Sequence, residues 1–117
     1  MPWFAVHAIL RVSFKDGFAG GVPVWENVYL VAAESPEEAY RRGAAKALAS
    51  EGDSSGTFFW EDHPARWVFA GVRKVIACAD EPLEAGVEVT WSQFQLQGEE
   101  DLNKLISGES VEIVYEE

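Results

Sequence analysis

Apolar residues occupy every second position from Phe4 to Phe14. Phe4, Val6, Ala8, Leu10, Val12 and Phe14 form one unbroken apolar side, against a mixed side of Trp3, Ala5, His7, Ile9, Arg11 and Ser13. A period of two predicts a strand over 3–14, with the first side turned to a core. Lys15 to Gly21 holds three glycines and reads as a turn. Residues 24–33 then return as a second strand, so an antiparallel hairpin is expected. The pattern changes at Ser35-Pro36-Glu37-Glu38. Ser35 suits an N-cap, Pro36 the first helical position, and Glu38 a capping box. The helix should run to about Ser50. Tyr40, Gly43, Ala44, Ala47 and Leu48 share its inner face, and their small size permits close approach to a sheet. Glu37 with Arg41, and Glu38 with Arg42, are spaced as surface ion pairs.

Glu51 to Gly56 reads as a mobile loop. Strands three and four are expected over 57–60 and 66–79, with a turn at Glu61–Ala65 marked by Pro64. A further turn spans Asp80–Gly86. Val87, Val89 and Trp91 alternate with Glu88, Thr90 and Ser92 and predict strand five, its parity slipping near Gln93 where Phe94 and Leu96 take over, as at a bulge. Glu99 to Ile106 predicts a short helix stopped by Gly108. Val111, Ile113 and Tyr115 close the chain as a last strand. The order β-β-α-β-β-β-α-β implies an α+β fold: a mainly antiparallel sheet of five to six strands with one main helix packed on one face.

A chain of 117 residues, 48% hydrophobic and 13% aromatic, fits a single domain over 1–117 with a real core. Its apolar runs are too short to span a membrane. One cysteine excludes an internal disulfide and a cysteine-built zinc site. With no visible signal peptide, a cytoplasmic home is expected. Charge adds more. Residues 1–79 hold nine acids and eight bases, a net of −1, whereas residues 80–117 hold eleven acids and one base, Lys104, a net of −10. Such a chain is a poor partner for nucleic acid or an anionic membrane, both of which need clustered Lys and Arg. The acidic third reads first as a solvated, solubilising surface and, more sharply, as a docking face for a basic protein, with Glu99, Glu100 and Asp101 at its centre.

Pro2-Trp3-Phe4-Ala5-Val6, Ala33-Glu34-Ser35-Pro36-Glu37-Glu38-Ala39, Trp67-Val68-Phe69-Ala70-Gly71-Val72 and Gly86-Val87-Glu88-Val89-Thr90-Trp91-Ser92 are short stretches spread over most of the chain. In these stretches it resembles a short bacterial family of domains of unknown function. The resemblance implies a compact bacterial cytoplasmic domain and brings no activity, cofactor or catalytic residue with it.

No catalytic motif emerges from the residues. Gly17 to Gly21 lacks the Lys-Ser/Thr and the helix of a phosphate loop. His63, in Glu61-Asp62-His63-Pro64, meets no metal-ligand spacing. Cys78 lies between alanines and reads as an inert thiol. His7, mid-strand beside Arg11, reads first as a hydrogen-bonding histidine. No metal or cofactor is expected. The leading expectation is a non-enzymatic protein-binding module, with an immunity- or inhibitor-like protein acting on a basic partner as its concrete form. The alternative is a small enzyme or ligand binder with a pocket near His7 and Arg11. Alternation further groups Trp3, His7 and Arg11 with Trp25, Asn27 and Tyr29 and with Trp67, Phe69 and Arg73 on the face opposite the helix. Such an aromatic face would support a homodimer.

Overall fold

The computed structural model of the protein describes residues 1–78 and 83–117. Its elements run β1 (Trp3–Phe14), β2 (Val24–Ala32), α1 (Pro36–Ala49), β3 (Phe59–Trp60), β4 (His63–Ala77), β5 (Phe94–Gln95), α2 (Glu99–Ser107) and β6 (Val114–Tyr115). The class is α+β and the element order is the expected one. The strands divide into a four-stranded antiparallel sheet, ordered β2-β1-β4-β3, and a separate pair, β5-β6.

α1 begins as its residues dictate. The Ser35 hydroxyl accepts from the Glu38 amide at 3.1 Å, Pro36 takes the first turn, and Glu38 pairs with Arg42 at 2.7 Å. The helix lies on the even-numbered side of β1. Phe4, Val6, Val31, Ala33 and Ala39 form one buried cluster, and Ala8, Leu10 and Ala47 a second. Gly43 is buried directly over Val6, where a Cβ would sit 2.4 Å from Val6 Cγ1. The small-residue stripe therefore sets how closely helix and sheet approach.

Three local expectations change. The turn before β4 contracts to Glu61 and Asp62, both at positive φ (50° and 68°), the signature of a type I′ hairpin. His63 and Pro64 thereby enter β4, opposite Trp60 and Phe59. The loop after α1 is pinned instead of mobile. Gly52 bridges Trp67 in both directions, and the Glu51 carboxylate accepts from the Phe69 amide at 2.7 Å. Strand five is the third case. Val87–Ser92 forms no ladder, and only Phe94 and Gln95 pair, with Tyr115 and Val114. The predicted end of strand four at Ala79 and the start of the following turn fall outside the described residues.

Candidate functional site

The register of the sheet decides what shares a face. β1 pairs with β2 as Trp3↔Ala32 through Arg11↔Val24, so odd positions of β1 lie beside even positions of β2. The same offset holds at the far end of β4, where Arg11 pairs with Val68 and Val12 with Trp67. Trp25, Tyr29, Trp67 and Phe69 consequently sit on the helix side, not with Trp3, His7 and Arg11. This corrects the expected grouping: alternation counted along each strand cannot see an odd offset between strands. Tyr29 packs on both core clusters and bonds Ser50 Oγ at the end of α1, 3.0 Å away. Trp25 stacks on Trp67 with 4.2 Å between ring centroids. Arg73 keeps the expected face, beside Glu26 and His7, and parts from Trp67 and Phe69. The pairing shifts between His7 and Ala8 and between Ile9 and Leu10, which leaves Arg73 and Ala70 as extra residues on β4. The first bulge re-aims Arg73 at the opposite face.

That opposite face holds a polar cluster. His7 is 3% exposed and both its ring nitrogens are engaged. In the neutral ring, Nδ1–H donates to Glu26 Oε2 at 2.6 Å and Nε2 accepts from the Thr90 hydroxyl at 2.5 Å. Glu26 comes from β2 on the same face, and Arg73 approaches its Oε2 at 3.4 Å. Arg73 also pairs with Glu117 and stacks over the Tyr115 ring at 3.8 Å. Lys74, opposite His7 in the ladder, donates to the Trp91 carbonyl at 2.5 Å and pairs with Glu117 at 2.8 Å. Cys78 Sγ donates to the Val89 carbonyl at 3.3 Å, and burial pushes its thiol pKa up. Through these contacts residues 89–93 and 115–117 are laid on the sheet. The alternation that predicted strand five is thus inverted: polar Thr90 points in at His7, while Val89 and Trp91 (46% exposed) point out.

Glu117 is the anchor of the C-terminal segment. Lys74, Arg73 and the Gln93 amide hold its carboxyl down to a pKa of about 2, against an ordinary 4.5. A depressed carboxylate pKa contributes stability that is complete above the ordinary value and lost as pH falls through the lowered one. Acidification from pH 5 to pH 2 should therefore release the Gln93 amide, which donates to Glu117 at 2.8 Å, before the β1 amides exchange. Hydrogen exchange checks this, and Glu117→Gln should show the released Gln93 amide already at pH 7.

The carboxylate–imidazole–hydroxyl line of Glu26, His7 and Thr90 is the arrangement that activates a nucleophile when it opens onto a cleft. Here its base is sealed, and Arg11 lies exposed one turn of pleat away. His63, the other histidine, bonds Asp16 at 2.7 Å and stacks on Phe18 at 3.7 Å. Its hydrogen bond to Asp16 lowers the Asp16 pKa. Among the described residues, no group of three or more His, Cys, Asp or Glu side chains is placed to hold a metal ion.

The acidic residues Glu99, Glu100 and Asp101 form the first turn of α2, with Lys104 3.9 Å from Glu100. None of the nine residues of α2 is buried. Leu102, Leu105 and Ile106 (76% exposed) make an apolar stripe beside these acids. A groove of about 560 Å³ runs along it, lined by Phe94, Leu96, Gly98, Glu99, Leu102 and Leu105. The expectation named the acids; the stripe was legible as spacing i, i+3, i+4 but was not part of it.

Residues 3–91 match the family described as domain of unknown function (DUF4288), and the chain belongs to that family. No curated protein and no solved structure matches it. Among the described residues, no helix is long and apolar enough to cross a membrane.

Proposed function

We propose that this member of the DUF4288 family is a protein-interaction module that docks a basic partner on α2 and the groove beside it. One observation carries the reading: α2 exposes Leu102, Leu105 and Ile106 next to Glu99, Glu100 and Asp101, in a third of the chain with net charge −10. A short helix with an uncovered apolar stripe is a surface that a partner's apolar side chains can bury, and helix-in-groove recognition works this way. The surrounding carboxylates would steer a basic surface toward it and add little to residence once docked. An inhibitor-like role toward a basic enzyme is the concrete form this suggests. The enzymatic alternative has less support, because His7 is enclosed by the residues it binds.

The reading predicts a partner whose association rate falls steeply between low and high ionic strength while its dissociation rate changes little. Partner retained by the immobilised protein from its native source would be tested by surface binding kinetics. Glu99→Lys with Glu100→Lys should cut the association rate at least tenfold, and Leu105→Ser with Ile106→Ser should speed dissociation. Salt-insensitive binding, or binding indifferent to both variants, overturns the proposal.

A further inference from the structure

We infer that β2 is a self-recognition edge, on which a second copy of this chain adds its own β2 antiparallel and lodges its Trp25 beside α1. The inference is independent of the docking role proposed for α2.

The Val12 amide donates to the Pro23 carbonyl, and the Ala33 amide to the Pro2 carbonyl, so bonded pairs fall at both ends of the β1–β2 ladder. Such pairs recur every second residue, which places Trp25, Asn27, Tyr29 and Val31 in hydrogen bonds to β1. Val24, Glu26, Val28, Leu30 and Ala32 must then direct their amides and carbonyls outward. β2 ends the sheet on that side. Among the described residues, a protein donor reaches the Ala32 carbonyl there, Arg42 at 2.6 Å. On the opposite side β3 pairs with His63 and Pro64 of β4, Gly52 bridges Trp67, and the rest of that β4 edge is interrupted by the bulges at Ala70 and Arg73, whereas β2 runs nine residues with no proline, no lysine and no break in register. Natural edges of that length are normally blunted, or else used.

Self-pairing is singled out by what stands at the two ends of β2. At one end Trp25 is 50% exposed on the helix side, and it leaves its stack on Trp67 to enter the second copy. At the other, a groove of about 560 Å³ opens on the same side between Val31 and Ala32 of β2 and Arg42, Ala45, Lys46 and Ala49 of α1. Val28 is midway between Trp25 and Val31. A two-fold axis at Val28 therefore sets the second copy's Trp25 against Val31 at the mouth of this groove, and the reverse. Two identical anchors enter two identical grooves, as an isologous contact requires. Arg42 and Lys46 line the groove and offer cations to the indole face. The same axis puts Glu26 opposite the second copy's Leu30, so no like charges meet. The product is one continuous eight-stranded antiparallel sheet.

Size sets the strength. Nine residues of strand are about 30 Å long, and a sheet with its helix layer is roughly 20 Å thick, so the strip covers on the order of 600 Å² per copy. This is somewhat less than the roughly 800 Å² of a standard interface, which predicts a dimer with a Kd in the range of about 1–100 µM.

Sedimentation velocity from about 5 to 500 µM should show the mass rise from 13.0 kDa toward twice that value. Val28→Pro is the discriminating variant. Its amide faces outward, so the monomer fold is spared while the shared ladder is blocked; circular dichroism verifies the fold. Val28→Pro should abolish the dimer, and Trp25→Ala should weaken it at least tenfold. Because Val28 meets its own copy on the axis, Val28→Cys in a Cys78→Ser background should form an intermolecular disulfide on mild oxidation. A 13.0 kDa species at every concentration overturns the inference and leaves the edge to an extended segment of another protein. A dimer that survives both Val28→Pro and Trp25→Ala, or fails to cross-link at position 28, overturns it as well.

Discussion

Gly43→Ala is expected to destabilise the protein by about 1–3 kcal/mol through overpacking, even though alanine outranks glycine inside a helix by about 1 kcal/mol. The two effects oppose each other, and the geometry decides between them. An added Cβ would lie 2.4 Å from Val6 Cγ1 and 2.5 Å from Val6 Cβ. The second of these atoms is fixed to the backbone of β1, so no rotamer change relieves the contact. Val6 itself is fully buried and has no space to retreat into. The helix must rise instead, and with it Ala39 and Ala47, which close the two core clusters on either side. Ala47→Phe, against Ala8 and Leu10, should act by the same route with at least the same cost. Denaturant titration measures both. A double variant carrying Gly43→Ala and Val6→Gly should recover part of the loss relative to the sum of the singles, since glycine at position 6 removes the Cβ as well as both methyl groups that the new Cβ meets. Additive losses, or a Gly43→Ala protein as stable as the parent, would contradict the close approach.

The same residues explain why so much of the helix side was legible in advance. Ser35, Pro36 and Glu38 act within one turn of chain, and Gly43 and Ala47 need only the helical period; Ala39 completes the buried stripe, whereas Tyr40 and Leu48, expected on the inner face, are 47% and 53% exposed. The face of each strand is a different kind of information. Trp25 and Tyr29 alternate cleanly, yet which side they take depends on whether the β1–β2 offset is odd or even, which the nine-residue connection between the strands sets. Arg73 kept its expected side near His7 while Trp67 and Phe69 did not, because the bulges on β4 break the alternation that tied the three together. Val87 to Ser92 is the sharpest case. Its alternation is genuine, but the contact that matters is a hydroxyl at an inward polar position, matched to a histidine 83 residues earlier. Nothing in the spacing of Thr90 marks it for His7. The one signal that pointed there was the histidine itself, a polar ring set in the middle of an otherwise well-packed strand.

His7→Leu is expected to cost about 2–4 kcal/mol and to loosen the segment around Thr90 more than the sheet beneath it. The imidazole supplies two contacts at once, 2.6 Å to Glu26 and 2.5 Å to Thr90, in a position 3% exposed. Hydrogen bonds to a charged group contribute about 1.5–3 kcal/mol, and a neutral one about 1 kcal/mol. Leucine fills the volume but leaves the Glu26 carboxylate with Arg73 alone, at 3.4 Å, and leaves the Thr90 hydroxyl facing an apolar side chain. Of the other ties of the segment, Lys74 to the Trp91 carbonyl and Glu117 to the Gln93 amide lie C-terminal to Thr90, and the thiol contact of Cys78 with the Val89 carbonyl, at 3.3 Å, is the weak one on its N-terminal side. Residues 87–90 should therefore gain exchange first, with β1 and β2 amides following only at global unfolding. Thr90→Val separates the two halves of the contact. It should cost about 1 kcal/mol and reproduce the local loosening while leaving the Glu26 bond intact. Uniform loss of protection across the sheet in Thr90→Val would refute the latch and make His7 a plain core residue. Unchanged exchange at 87–90 in both variants would place the hold on this segment at Cys78, Lys74 and Glu117.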